Sequence, residues 1–260
     1  MNSPLALYRQ PRLLDRQADI GKRVRPLVDY RMAQHMNGMM LTAVEFFDAC
    51  KEYVIAFVAS GPTEPGKPVP PVSPIVILGL RDGENLMVRA DGSWDARYLP
   101  AFLRRYPFAY AADPDGRLNL LVDAGWDGFN DQEGELLVQA DGEPTEFLKQ
   151  AMKYLDTFEQ ESLRTRAFCE RLMALDLLIS RQLDGSLPET AGGQIVSVGG
   201  FSVVDEEKLR ALPDATVLEL HRSGALGLIQ AHLLSLGNAP RLLERLVPRT
   251  AAPAAPAVTH

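Results

Sequence analysis

Apolar and polar positions divide the chain into a strand-rich first half and a helix-rich second half. Between residues 53 and 140 the apolar runs are short: YVIAFV (53–58), IVILGL (75–80), NLMVRA (85–90), FAYAA (108–112) and LNLLVD (118–123). Their length and their β-branched and aromatic content predict strands. Asp-Gly pairs at 82–83, 91–92, 115–116, 127–128 and 141–142 punctuate them, where tight turns favour residues that tolerate positive φ. One short helix is predicted around Pro100–Arg105, ended by Pro107.

After Gly142 the period lengthens. Thr145 is placed to cap a long amphipathic helix on which Leu148, Met152, Leu155, Phe158, Phe168, Leu172 and Leu175 recur at helical spacing. In QIVSVGGFSVV (194–204), Gly199-Gly200 lie between two alternating apolar runs and predict a two-residue hairpin turn. Asp205 reads as an N-cap with Glu206 and Glu207 at the positive end of a short helix that Pro213 stops. A helix from Asp214 toward His221, another over Ala225–Leu236 stopped by Gly237, and a last one opened by Pro240 complete the series. The order predicts an α+β fold, with short antiparallel strands in the N-terminal half and helices plus one hairpin in the C-terminal half.

Three segments fall outside this patterning. Residues 1–30 mix Pro and Arg without a period and read as a flexible basic arm. Residues 61–74, GPTEPGKPVPPVSP, hold six prolines and read as an extended loop. Residues 248–260 are low-complexity Ala/Pro and read as a disordered tail. A single domain is expected over 31–247, strand-rich to about residue 142 and helix-rich after it.

Composition narrows the class. The chain has 260 residues, 46% hydrophobic and 23% charged, which excludes a fully disordered or collagen-like protein. No uninterrupted run reaches the about 18 apolar residues of a membrane span, so no transmembrane segment is expected. The N-terminus carries no apolar signal-peptide core, and two cysteines, Cys50 and Cys169, match no metal or redox spacing, so a reducing cytoplasm is the expected location. Net charge is −7, a poor balance for wrapping nucleic acid, and no nucleic-acid partner is expected. The charge is unevenly spread: residues 1–31 carry seven basic residues against three aspartates, +4, which leaves −11 on the rest. The arm is therefore placed to dock on an acidic partner or lipid surface or, more simply, to pack against the acidic body.

Several patterns invite chemistry that their details refuse. GPTEPGK (61–67) has the Gly-x4-Gly-Lys spacing of a phosphate loop, yet Pro62 and Pro65 remove backbone donors and Pro68 stands where Ser or Thr would hold magnesium. The stretch 113–146 holds ten carboxylates but matches no calcium-loop alignment, so it reads as a solvated acidic face. No metal set, cofactor or catalytic residue is assigned. The richest segment is DGSWDARYLPAFLRRYPF (91–108), where Trp94 and Tyr98 stand beside Arg104 and Arg105; arginine forks next to aromatic faces suit carboxylate, phosphate or peptide recognition. The plainer reading makes the aromatics core and the arginines snorkelling cover. His221, Arg222 and His232 are the other ligand-binding candidates; His221 and His232 converge only if the chain breaks at Gly224.

Together MNGMMLTAVEF (36–46), LGLRDGENLMV (78–88), DGSWDARYLPAFLRRYPF (91–108), ADGEPTEFL (140–148) and GFSVVDEEKLRALPDATVLELHRSGALGLIQAHLLSLGN (200–238) resemble the SapC family over roughly residues 25–246. The resemblance implies a bacterial protein named after a component linked to a paracrystalline surface layer. It supplies no catalytic residues, and a permease sharing the name would need several apolar spans. The function expected on this basis is an accessory or binding protein of envelope or surface-layer processes, non-enzymatic, with a protein partner. The alternative is an enzyme or enzyme partner acting on a small anionic or peptide substrate through Trp94–Arg105 with His221 and His232. A self-associating array protein would be expected to show an export signal and long β-rich repeats, and neither is apparent.

Overall fold

Strand β4 (Val54–Ala59) lies at the centre of a five-stranded antiparallel sheet. Its unbroken apolar run is buried on both faces, with Val54, Ile55, Ala56 and Phe57 at most 1% exposed. The computed structural model describes residues 5–61, 70–186, 193 and 195–246. β4 pairs on one side with β5 (Val72–Ile77), which pairs in turn with β3 (Gly38–Met40). On the other side come β11 (Ile195–Val204) and the edge strand β10 (Leu178–Ser186). Register between β4 and β5 holds up to Ala59 opposite Val72, and the Ser60 N–H then donates to the Pro71 carbonyl (2.8 Å). Two three-stranded sheets complete the strand-rich half: β1 (Pro11–Leu13), β7 (Leu118–Asp123) and β6 (Phe108–Ala112) in the order β1-β7-β6, and β8 (Phe129–Asn130), β2 (Arg23–Val24) and β9 (Glu135–Leu136) in the order β8-β2-β9.

The fold is α+β. Helices α1 (Phe46–Ala49), α3 (Glu146–Ala174) and α6 (Ala225–Ser235) pack against the five-stranded sheet. α3 is about 43 Å long, and it joins two cores. Leu148 and Leu155 meet Val24, Phe108, Val122, Leu137 and Val138, whereas Phe158, Phe168, Cys169 and Leu172 belong to the main core with Phe46 and Phe57. Thr145 caps α3 by accepting the Leu148 N–H (3.3 Å). Asp205 caps α4 (Glu206–Arg210) by accepting from Glu207 (2.9 Å) and Lys208 (3.3 Å). The remaining helices, α2 (Ala101–Arg104), α5 (Asp214–Arg222) and α7 (Ala239–Leu246), fall where their proline and capping residues put them. No helix of the described residues is long and apolar enough to cross a membrane.

Four local expectations need correction. Gly199-Gly200 do not turn a hairpin: both lie inside β11, where the register against β10 slips between Arg181 and Leu183 and Gly200 takes φ +78°. A positive-φ glycine serves a strand bulge as well as a turn, and the hairpin is the longer β10–β11 pair. NLMVRA is not a strand: only Val88 bridges to Trp94, around the Asp91-Gly92 turn. Residues 72–74 of the proline-rich stretch belong to β5, and Pro74 sits opposite Phe57; residues 62–69, like the tail 248–260, lie outside the described residues. The arm is not free, since β1 pairs with β7 and β2 with β8 and β9. Its cations meet the acidic stretch, Lys22 pairing with Asp131 (2.7 Å) and Arg25 with Glu133 (3.9 Å).

Candidate functional site

The 3-10 turn Ala43–Glu45 and α1 form one continuous helical ramp opened by the Thr-x-x-Glu signature of a capping box. Glu45 reaches back so that its Oε2 accepts from the Thr42 N–H and the Thr42 hydroxyl (both 2.8 Å). Its Oε1 accepts from the Tyr98 hydroxyl (2.8 Å) and the Ala101 N–H (2.7 Å). A carboxylate 3% exposed is thereby fully occupied and pegs the 98–101 segment to the ramp. Glu52, just beyond α1, holds the other end, accepting from the Arg97 N–H (2.9 Å) and the Tyr98 N–H (2.8 Å). Tyr53 donates its hydroxyl to the Tyr98 carbonyl and accepts from the Trp94 indole N–H (2.9 Å).

This pinned segment separates two clefts. The outer one, about 690 Å³, is lined by Asp48, Lys51, Glu52, Arg97, Tyr98 and Arg241. The inner one, about 320 Å³, runs between the ramp and α3 and includes Val44, Glu45, Asp48, Tyr98, Arg104 and Tyr154. Arg104 lies over the rings of Tyr98 (5.7 Å) and Tyr154 (5.6 Å) and donates to the Tyr98 hydroxyl (3.2 Å). Burial, and secondly the Glu45 carboxylate, push the Tyr98 phenol well above its ordinary pKa, so it stays a neutral donor. Arg241 reaches the cleft because α7 is anchored one turn later, where Arg245 binds the Asp95 carboxylate and backbone carbonyl; Arg241 itself donates to the Lys51 carbonyl (3.2 Å).

The predicted candidates scatter. Tyr98 and Arg104 belong to the site. Trp94 is half-buried, packing edge-on to Tyr30 (5.8 Å) against the main core. Arg105 is 6% exposed and lies over Phe102 (4.3 Å) and Phe158 (4.9 Å), as core cover. His221 and Arg222 are exposed at the end of α5, while His232 is fully buried in α6, accepting the Val204 N–H at Nε2 (3.0 Å) and touching the Phe57 ring (5.0 Å between centroids). The break at Gly224 therefore does not bring the two histidines into one site. Among the described residues no group of three or more His, Cys, Asp or Glu could hold a metal ion.

Missed in the sequence were Asp48, Lys51, Glu52 and Arg241, whereas Arg97 lies within the aromatic- and arginine-rich stretch 91–108. The visible signal was the ramp itself: apolar residues point to both faces of 43–50, leaving Val44 and Phe47 60% and 55% exposed at i,i+3 spacing. The cysteines take no part in the site. Burial pushes the Cys169 thiol up to about 12, and it is 1% exposed. At neutral pH an alkylating reagent is expected to label half-buried Cys50 first and Cys169 only on unfolding; equal labelling rates in the folded protein, followed by mass spectrometry, would contradict this.

A family model described as SapC matches residues 14–242. No curated protein and no solved structure gives a significant match.

Proposed function

From the premise that the chain belongs to the SapC family, we propose that it is an accessory binding protein of bacterial envelope or surface-layer processes. It acts from the cytoplasm by docking a protein partner, without catalysis of its own. The observation that carries this reading is the ramp surface. Val44 stands exposed in the inner cleft and Phe47 stands exposed on the same ramp beside Gly227 of α6, while the linings of the two clefts carry Lys51, Arg97, Arg104 and Arg241. Apolar anchors inside a polar rim are the anatomy of a recognition patch. The ramp is rigidly seated, since Ala43 N–H donates to the buried Thr165 hydroxyl (2.8 Å) and Asn238 donates to the carbonyls of Cys50 (2.8 Å) and Tyr53 (2.9 Å).

The test compares affinity purification of the native chain with that of Val44→Asp/Phe47→Asp from its own host. Both substitutions sit on exposed positions, so the melting temperature is expected to hold. A partner recovered with the native chain and lost with the variant is the expected outcome. The same proteins recovered with both would overturn the reading. Recovery of the chain in the outer membrane or medium on fractionation would overturn the cytoplasmic placement.

A further inference from the structure

The outer cleft has a charge arrangement that selects among anions. Lys51 and Asp48 pair with each other (2.7 Å) on an exposed flank. Glu52 is spent on the backbone N–H groups of Arg97 and Tyr98. The Arg97 side chain is exposed and has no side-chain hydrogen bond or ion pair among the described residues, and Arg241 makes one contact, at 3.2 Å, to a carbonyl. Two guanidinium forks from distant parts of the chain thus face one cavity with most of their donors uncommitted. Such forks match the two oxygens of a carboxylate.

The carboxylates in the same wall decide the ligand class. A dense dianion such as phosphate entering beside Asp48 and Glu52 would meet like charge as well as the arginines. An acidic peptide spaces its single charges along the chain and brings amide N–H groups that Asp48 can accept from. The volume of about 690 Å³ suits a short peptide segment rather than one small ion. Val44 lines the adjoining inner cleft, which shares Asp48 and Tyr98 with the outer one, and offers the peptide an apolar contact next to its charged one.

We infer that Arg97 and Arg241 form a carboxylate-binding site for an acidic peptide segment of the partner, an assignment that rests on the docking role proposed above and names its chemistry. The purified full chain is titrated by calorimetry with end-blocked tri-glutamate, end-blocked tri-glutamine and inorganic phosphate. Tri-glutamate is expected to bind in a salt-sensitive way and tri-glutamine not to bind. Arg97→Ala/Arg241→Ala should weaken the tri-glutamate Kd about tenfold or more, with Arg97→Lys/Arg241→Lys in between because charge remains and the fork is lost. An unchanged melting temperature shows that the variants fold. No binding of tri-glutamate, equal binding by the alanine variant, or tighter binding of phosphate each overturns the inference. The Val44→Asp/Phe47→Asp comparison then decides separately whether partner docking stands.

Discussion

Replacing Asp123 with alanine is expected to remove about 3–5 kcal/mol of folding stability, seen as a large drop in urea midpoint. Asp123 is fully buried at the end of β7. Its Oδ2 accepts from the Arg9 N–H (2.9 Å) and the Tyr106 hydroxyl (2.8 Å), and its Oδ1 from the Gln10 N–H (2.8 Å) and the Gly125 N–H (3.0 Å). Four donors from three parts of the chain, the Tyr106 hydroxyl buried and the three backbone N–H groups partly so, lose their acceptor when the carboxylate goes, and an orphan donor costs more the less water reaches it. Asp123→Asn keeps the shape but turns an N–H toward one pair of donors, so a smaller loss of about 1–3 kcal/mol is expected. If the alanine variant does not fold, the asparagine variant still gives the reading. A loss under about 1 kcal/mol in either would mean that water replaces the carboxylate at little cost.

Acidification is expected to weaken the fold before the carboxylates titrate, because of His232. Burial lowers its pKa to about 4, against about 6.5 in an unfolded chain. Below the unfolded value the unfolded chain binds a proton that the native state refuses, so stability is complete above about pH 6.5 and falls until the folded value is reached, by about 3 kcal/mol in all. Urea unfolding followed from about pH 7 to about pH 4.5 measures the slope. His232→Gln can still accept the Val204 N–H without titrating, and should flatten it. A flat profile in the native chain, or an equal slope in the variant, would assign the acid sensitivity elsewhere.

The elements legible in the sequence are those whose determinants are local. Thr145 and Asp205 cap the helices they precede, and Gly116 and Gly142 take the positive φ that their Asp-Gly turns call for. β1 and β2 were not legible, because three- and two-residue strands have no period of their own and exist by pairing with β7, β8 and β9, about a hundred residues away. β10 reads LISRQLDGS, with too few apolar residues to announce a strand, and is held by β11. Gly199-Gly200 show the reverse problem: the same glycine freedom serves a turn or a bulge, and only the partner strand distinguishes them. At the site, Tyr98 and Arg104 were found because aromatic and arginine residues cluster in one stretch. Arg241 could not be, since it enters the cleft from α7 through the Arg245–Asp95 anchor. Arg105 takes the plainer of its two readings, covering Phe102 and Phe158 while its neighbour Arg104 lies over Tyr154, a difference of one position on a helical turn.

The ladder between β4 and β5 closes on itself at Ala59–Val72 and Ser60–Pro71, so the register of the central sheet is settled before the chain leaves it. A longer connection between those strands is expected to keep that register, at a chain-entropy cost of about 0.6 kcal/mol for each doubling of its length. An epitope or a small fluorescent reporter spliced between residues 61 and 70 would leave β4 in place, and with it Glu52 and Tyr53 at its start. The cell biology of the protein can therefore be followed with an internal label that keeps both ends of the polypeptide unaltered.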